Sequence, residues 1–296
     1  MLDYYATICR KQIYELFPSN DADGTTIING TIFVDQNGKA NLTQAILFKS
    51  SLKKFKDFGK LQNIDNEFKT KLYETFLKET QGLKGLGQYF TPRKVVRAIV
   101  NMSGIDNLIE DQKVCDPFCG VGGFLLEPIN FYNKIKREFI PQNGIIKSKI
   151  NFIGYDKGSE KDEERTIILA KANMLIYLSE IIVKYRHLTK EFSKTFNNIF
   201  HLIKTNLGTL GIKIDDENEK YDLILTNPPY VTKGKKTISN EIKNDARLND
   251  IYKTPAIGIE GLALNWIIYH LKKGGDAFVI IPDGLLNRIY DRELRN

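Results

Sequence analysis

Cysteine is scarce in this sequence, with only Cys9, Cys115 and Cys119 among 296 residues. Three cysteines cannot all pair with one another, so a disulfide-stapled secreted domain is excluded and a reducing compartment is favoured. No uninterrupted apolar run approaches the roughly 18 residues that suggest a membrane-spanning helix. The first residues, MLDYYATICRKQIYELF, carry charges every few positions and therefore lack the apolar core of a signal peptide. We expect a cytoplasmic protein.

Histidine is equally scarce, and the three histidines lie far apart at His187, His201 and His270. Neither an HExxH pattern nor a Cys/His spacing typical of zinc is present in the sequence. Cys115 and Cys119 flank a glycine-rich turn, where small packing residues are the better interpretation. The sequence predicts no metal site.

The composition is 42% hydrophobic and 27% charged, close to that of an average globular protein. Lysine and arginine number 43 against 36 acidic residues, which gives a formal charge of +7. A basic surface attracts phosphate backbones. Lysine, asparagine and isoleucine are all abundant, however, as codon bias in an A·T-rich genome would also produce. Charge alone therefore leaves nucleic-acid binding open.

The first eighty residues differ in pattern from the rest. Apolar spacing predicts helices over residues 3–17 and 65–78, and an Asn-Gly pair between β-branched runs predicts a hairpin over residues 25–39. Three glycines in the segment 81–88 mark a boundary. We expect a mostly helical N-terminal region at 1–80, contacting a partner or DNA, and a larger domain at 81–296.

The larger domain alternates apolar strands with amphipathic helices, which predicts an α/β fold: a doubly wound parallel sheet with its ligand at the carboxyl ends of the strands. Thr91 and Pro92 resemble the N-cap and first residue of one helix. The expected helices are 92–102, 124–137, 163–182 and 260–272, and the expected strands are 113–116, 151–156, 198–204, 221–226 and 274–284.

A glycine turn, DPFCGVGGF at 116–124, follows the first strand. Glycines let a backbone approach a ligand closely, and the following helix N-terminus offers N–H groups to a carboxylate or phosphate. The spacing of Gly120, Gly122 and Gly123 is not G-x-G-x-x-G. The next acid that ends a strand, Asp156, comes later than the roughly 20 residues typical of a dinucleotide fingerprint. A dinucleotide is therefore disfavoured.

Asp156 at the end of the second strand is suited to accept hydrogen bonds from both hydroxyls of a ribose. A solvated loop carboxylate is the alternative, which its position at a strand end disfavours. A glycine turn together with a ribose acceptor fits a nucleoside with an amino-acid end, such as S-adenosylmethionine.

The tetrapeptide NPPY, Asn227 to Tyr230, directly follows the strand YDLILT. The side-chain carbonyl of Asn227 and the main-chain carbonyl of Pro228 can form two fixed acceptors for an –NH2 group, since proline stiffens the chain and removes donors. Accepting both hydrogens draws the nitrogen lone pair out of conjugation, so the nitrogen can attack an electrophile. Tyr230 offers a ring for stacking on a planar base or amide. A proline loop that merely ends a strand is the alternative for NPPY taken alone.

The combination of GQYFTPRKVVRAIV, DPFCGVGGF, TNPPY and KKGGDAFVIIPDGLL resembles the γ group of amino-methylating DNA methyltransferases, and most closely the modification subunits of type I restriction systems. The resemblance covers about residues 87–286. It implies a Rossmann-like methyltransferase domain that binds S-adenosylmethionine and methylates the N6 amino group of adenine in DNA.

The resemblance also implies the site residues. The implied catalytic residues are Asn227, Pro228, Pro229 and Tyr230. The implied cofactor-binding residues are Gln88, Tyr89, Phe90, Thr91, Pro92, Arg93, Asp116, Gly120, Val121, Gly122, Gly123, Asp156 and Asn206. Residues 88–93 are expected to pack over the methionine part, and Asn206 stands where the family often has an Asp for the cofactor adenine.

The sequence ends at DRELRN, after the fifth expected strand, whereas the resemblance implies two further strands. We therefore expect a catalytic domain truncated at its C-terminus, or one completed by another chain. The implied partners are double-stranded DNA, a specificity subunit or target-recognition region, and a restriction subunit. Two alternatives stay open: methylation of adenine in RNA or of glutamine in proteins by the same NPPY chemistry, and an inactive subunit that only binds cofactor or DNA.

Overall fold

The computed structural model describes residues 2–22, 24–25, 39–58, 91–157, 164–230, 235–256, 258–288 and 292–295. Residues 26–38 of the expected hairpin, the expected helix at 65–78 and the expected boundary at 81–88 lie outside these ranges.

The described strands form one parallel sheet of five strands in the order β3-β2-β1-β4-β5. They are β1 (Lys113–Asp116), β2 (Asn151–Lys157), β3 (Phe200–Ile203), β4 (Tyr221–Thr226) and β5 (Leu271–Val279). The strand order reverses between β1 and β4, and a doubly wound sheet binds its ligand at such a switch point, outside the carboxyl ends of the strands. The predicted fold class is confirmed.

Helices cover both faces of the sheet. They are α1 (Leu2–Tyr4), α2 (Arg10–Leu16), α3 (Ala45–Phe58), α4 (Arg93–Met102), α5 (Gly123–Phe131), α6 (Asn133–Glu138), α7 (Glu164–Tyr177), α8 (Ser179–Lys184), α9 (Thr189–Ile199), α10 (Lys235–Asn244), α11 (Ile259–His270), α12 (Asp283–Asn287) and α13 (Arg292–Arg295). A π-helical turn, Tyr5–Cys9, joins α1 to α2. Among the helices in the described ranges, none is both long and apolar enough to cross a membrane.

Three expected helices differ in extent from the structure. The helix expected over 124–137 is two helices, because Tyr132 has an extended backbone (φ −107°, ψ 109°) between α5 and α6. The helix expected up to Ile182 is likewise interrupted, at Leu178, between α7 and α8. The helix expected over 260–272 ends at His270, because the chain enters β5 at Leu271 and pairs there with β4.

Successive strand residues divide between two apolar cores, as the alternation of side chains in a strand requires. Val114, Leu223 and Leu225 face the core beneath α4, α5, α7 and α9. Cys115 and Ile224 face the opposite core beneath α10 and α11. The sheet is therefore the central of three layers, with its strand ends held by packing on both sides.

His270 belongs to the second core. Its ring stacks on Trp266 with centroids 3.9 Å apart, and its Nε2 accepts from the Ile214 N–H at 3.1 Å. Its Nδ1 lies 2.7 Å from the Trp266 carbonyl and must therefore carry the proton. Burial lowers the pKa of His270 to about 4. This histidine is a neutral packing residue, and the expected packing role of Trp266 is confirmed, since it is fully buried.

The N-terminal segment contacts the α/β domain. Phe17 packs against the first core, and the Ser193 hydroxyl donates to the Pro18 carbonyl at 3.2 Å. The fully buried Lys171 donates to the Thr25 hydroxyl at 2.5 Å. The division of the chain near residue 80 stays a prediction.

The helix expected over 3–17 is confirmed, but its apolar stripe is only partly covered. Of the five apolar residues that form the stripe, Ile8 and Leu16 are exposed, whereas Tyr5, Ile13 and Phe17 are half-buried.

Candidate active site at the carboxyl edge of the sheet

The predicted site residues gather at one edge of the sheet. The glycine turn follows β1, Asp156 is the penultimate residue of β2, and Asn227 follows β4. Because β2, β1 and β4 are adjacent and parallel, their carboxyl ends meet at this edge. Three motifs far apart in the sequence therefore line one crevice.

The glycine turn has a backbone that only glycine adopts easily. Gly120 and Gly122 have φ of 53° and 81°. A methyl group at Gly122 would come within 3.0 Å of the Phe200 ring and 3.1 Å of Leu126 Cδ1, so the turn packs tightly against β3 and α5. A methyl group at Gly120 would meet no described atom within 4 Å, so that side of the turn is open.

The turn is supported from behind. Asn173 of α7 donates from Nδ2 to the Val121 carbonyl at 3.3 Å, and the Cys119 N–H donates to the Tyr155 carbonyl at 2.8 Å. Burial raises the pKa of both Cys115 and Cys119, so neither supplies a thiolate. Their predicted role as small packing residues is confirmed.

Asp116 joins the glycine turn to the NPPY loop. Its carboxyl group is buried, and Oδ1 accepts from the Thr226 hydroxyl at 2.7 Å and from the Phe118 N–H at 3.2 Å. Burial raises the pKa of Asp116 to about 7, even though both hydrogen bonds lower it. Asp116 was predicted as a cofactor contact, and the structure shows its Oδ1 engaged with the protein.

The NPPY loop holds its polar groups in a defined network. Asn227 is half-buried and donates from Nδ2 to the Thr91 hydroxyl oxygen at 3.0 Å. The Tyr230 hydroxyl lies 2.6 Å from Asn227 Oδ1 and 2.7 Å from the Ile280 carbonyl. Pro228 is buried, whereas Pro229 and the Tyr230 ring are exposed.

Tyr230 is a neutral phenol at physiological pH. Burial, and to a lesser extent the charge of Glu260, raises the pKa of Tyr230 to about 12. Its hydroxyl therefore acts as a hydrogen-bond donor, and its ring remains available for stacking.

Thr91 does not cap a helix, contrary to the sequence-based expectation. Helix α4 begins at Arg93, Pro92 occupies the cap position, and the cap makes no side-chain hydrogen bond. The Thr91 hydroxyl instead contacts Asn227, because α4 packs beside the end of β4. Residues Gln88, Tyr89 and Phe90 of the same motif lie outside the described ranges.

A buried carboxylate that sequence reasoning missed holds this helix in place. Glu127 of α5 accepts from Arg93 Nε at 3.0 Å, from Arg97 Nε at 2.5 Å and from the Tyr177 hydroxyl at 3.1 Å. Its side chain is 2% exposed. The sequence feature that could have indicated a buried carboxylate is the single acid within the otherwise apolar FLLEPINF. Arg93 was predicted to pack over the methionine part of the cofactor, and its Nε donates to this carboxylate.

Asn206 lies in the turn after β3, where it is exposed and donates from Nδ2 to Glu241 Oε1 of α10 at 3.2 Å. Its expected contact with the cofactor adenine stays a prediction.

The groups present at this edge fit S-adenosylmethionine. The open side of Gly120 and the N-terminus of α5 suit a carboxylate, and Asp156 suits a ribose diol. Asp156 and the glycine turn lie at the carboxyl ends of the adjacent parallel strands β2 and β1, so both stand at the same edge of the sheet.

Comparisons with known proteins agree with this geometry. The N-6 DNA methylase family model matches residues 64–294. The chain is 27% identical over 215 residues to the type I restriction enzyme EcoEI methylase subunit of Escherichia coli, covering 73% of this chain and 36% of that protein. It is 29% identical over 208 residues to a tRNA (guanine(10)-N2)-dimethyltransferase of Methanocaldococcus jannaschii, covering 69% and 46%. The chain thus spans between about a third and a half of the length of these relatives.

A solved structure shares the fold. A modification subunit of a putative type I restriction enzyme from Vibrio vulnificus YJ016 superposes with a TM-score of 0.51 at 22% identity, over 78% of this chain and 43% of that one. The solved structure confirms the fold. The family match confirms the resemblance inferred from the motifs and, with it, S-adenosylmethionine as the cofactor. This chain belongs to the N-6 DNA methylase family.

Proposed function

We propose that this chain carries the catalytic site of a site-specific DNA methyltransferase that transfers a methyl group from S-adenosylmethionine to the N6 amino group of adenine, within a restriction–modification system. The observation that carries the proposal is the position of Asn227. Its carboxamide is half-buried at the end of β4, beside the glycine turn, and is held by Thr91 and Tyr230.

In this proposal Asn227 Oδ1 and the Pro228 carbonyl accept the two hydrogens of the adenine amino group. The amino group would replace the Tyr230 hydroxyl as the donor to Asn227 Oδ1. Withdrawing the lone pair from the ring makes the nitrogen nucleophilic, and the two acceptors stabilise the positive charge that develops on it. No general base is needed, because the methylated nitrogen releases its proton after the attack. The exposed Tyr230 ring stacks on the extruded base.

The bound cofactor supplies an electrophilic methyl group on a sulfonium. Asp156 would accept from its ribose hydroxyls, and the N–H groups of Gly120, Val121 and Gly123 would bind its carboxylate. The Gly122 N–H instead donates to the Cys119 carbonyl at 2.7 Å. Residues 88–93 would cover its methionine part, and Asn206 would contact its adenine.

The proposed partners are double-stranded DNA, a specificity subunit or target-recognition region, and a restriction subunit. The relative from Escherichia coli is named as a subunit of a type I restriction enzyme, which supports assembly with other chains. The formal charge of +7 is compatible with a phosphate backbone.

A second candidate substrate is RNA. The relative from Methanocaldococcus jannaschii, 29% identical, is named as a tRNA methyltransferase. The same pair of acceptors serves any exocyclic amino group, so the substrate must be decided by experiment.

The test is methyl transfer from radiolabelled cofactor to adenine-containing DNA, to tRNA and to protein, by the full chain and by the assembly it forms with co-purifying subunits. Asn227→Ala should lower turnover on DNA by about 10²–10³-fold, the usual effect of losing one oriented acceptor, with cofactor affinity nearly intact. Asn227→Asp should be milder, since a carboxylate still accepts.

The matched control is Asn249→Ala, at an exposed asparagine outside the three motifs, which should behave as the parent. Methyl transfer to tRNA but not to DNA would show that RNA, and not DNA, is the substrate. An Asn227→Ala protein that methylates DNA at the parental rate would refute the mechanism.

A further inference from the structure

We propose that Thr91 is a positioning residue for Asn227, and that it acts by fixing which end of the Asn227 carboxamide faces the reacting amino group. This inference rests on the proposed function. It adds a role for Thr91 beyond contact with the cofactor.

The orientation of this carboxamide decides whether the site works. The oxygen and nitrogen of an amide have similar size but opposite hydrogen-bonding roles. With Oδ1 toward the substrate, the amide accepts from the amino group, whereas with Nδ2 toward the substrate two donors would meet. The Thr91 hydroxyl oxygen, 3.0 Å from Nδ2, provides an acceptor on the side away from Tyr230.

Thr226, the strand residue that directly precedes Asn227, is held by other contacts. The Thr226 hydroxyl donates to Asp116 Oδ1 at 2.7 Å, and the Ile280 N–H donates to the Thr226 carbonyl at 3.0 Å. The rotation of the Asn227 side chain is set by two hydrogen bonds, one to Thr91 and one from Tyr230. When the substrate amino group replaces Tyr230 as the donor, the acceptor on Thr91 is the contact that continues to restrict this rotation.

Thr91 is in turn held rigidly. It lies two residues before Arg93, the first residue of α4, whose Nε is paired with the buried Glu127 at 3.0 Å. Arg97, one turn later, is paired with the same carboxylate at 2.5 Å. Pro92, and not Thr91, occupies the cap position of α4, and the Thr91 hydroxyl oxygen accepts from Asn227 Nδ2.

The test compares Thr91→Val, which has nearly the same shape but lacks the hydroxyl, with Thr91→Ser, which keeps it. Turnover on DNA is measured at saturating S-adenosylmethionine, and cofactor affinity is measured separately by calorimetry. We expect Thr91→Val to lower kcat by about 3–10-fold, the value of one hydrogen bond, and to change cofactor affinity by less than about twofold. Thr91→Ser should restore turnover.

A matched control is Thr195→Val on α9, where the hydroxyl donates to the carbonyl of Glu191 in its own helix. It should retain parental turnover. A second measurement does not depend on activity. An NMR spectrum of the full chain records the side-chain NH2 signals of Asn227, which are assigned as the signals that disappear in Asn227→Asp. These signals should shift in Thr91→Val and return in Thr91→Ser.

Parental turnover in Thr91→Val, or a loss fully explained by weaker cofactor binding, would overturn the positioning role. So would Asn227 signals that stay unchanged in Thr91→Val. If the parent protein methylates no adenine, the proposed function fails, and the NMR comparison alone then decides whether Thr91 fixes the Asn227 amide. If Thr91→Val does not fold, the spectrum of Thr91→Ser is compared with that of the parent. The Asn227 NH2 signals should have the same positions in both, and a shift of these signals in Thr91→Ser would contradict the contact.

Discussion

Replacing Glu127 with glutamine tests the contact that holds α4 on the sheet edge. The Glu127 side chain is 2% exposed, and its partners Arg93 and Arg97 are 14% and 33% exposed. Removing one partner of a buried ion pair typically costs about 3–5 kcal/mol, because the remaining charge stays buried. Arg97 keeps a third of its surface in water and Tyr177 can still donate to the glutamine oxygen, so we expect a loss of about 3 kcal/mol, at the low end of that range.

The assay is denaturant unfolding of the parent and of Glu127→Gln. Their free energies of unfolding are compared under the condition that both depend equally steeply on denaturant concentration. The matched control is Glu180→Gln, which removes the carboxylate of the Lys136–Glu180 pair, where Glu180 is 64% exposed. Exposed pairs contribute little, so this control should unfold almost as the parent does. If Glu127→Gln is no less stable than Glu180→Gln, the Glu127 cluster does not hold the helix. Methyl transfer should also fall in Glu127→Gln, because Thr91 precedes the released helix.

Three further predictions concern the crevice itself. Asp156→Ala should weaken S-adenosylmethionine binding by about 1.5–3 kcal/mol, because charge-assisted bonds to the ribose are lost, and unchanged affinity by calorimetry would remove Asp156 from the site. Gly122→Ala should lower the free energy of unfolding by more than Gly144→Ala does. Both residues have positive φ, where a side chain costs about 1–2 kcal/mol, but only at Gly122 would the new methyl group meet the Phe200 ring at 3.0 Å. Equal losses of unfolding free energy, measured in denaturant, would contradict this packing. Asp116→Asn should unfold at a higher denaturant concentration than the parent at pH 8 and at the same concentration at pH 4. Burial raises the pKa of Asp116 to about 7, so the parent loses stability as the pH rises from about 4 through 7 and the buried carboxyl ionises. A difference in stability between the two proteins that is the same at both pH values would refute this.

The strand and turn pattern of the sequence was sufficient to predict the fold and the meeting of the three motifs at one edge of the sheet. Apolar strands that end in Asp116, Asp156 and Thr226 alternate with helices, and this pattern requires parallel strands whose carboxyl ends share an edge. The glycine turn and Asn227 therefore had to meet there. The prediction that these motifs meet needed only the local residue pattern and a general rule of chain topology. It needed no knowledge of side-chain packing.

The limits of the helices were less predictable. Local propensity favoured Thr91 as an N-cap and a helix running past His270. In the structure Thr91 bonds Asn227 and Leu271 enters β5. Contacts from distant parts of the chain outweighed the local preference in both cases, because each offers a hydrogen-bond partner that the helix end does not.

The sequence by itself determined which strands end in functional groups and which chemistry those groups suit, because spacing along one chain records secondary structure and turn type. Only the tertiary structure decided how the groups are held. Thr91 and Asn227 are 136 residues apart, and Glu127 is 34 residues from Arg93. Partners at such separations leave no periodic signal in the sequence, since the pairing depends on how α4 and α5 pack across the sheet. The orientation of the Asn227 amide is therefore a property of the folded chain and not of the NPPY motif alone.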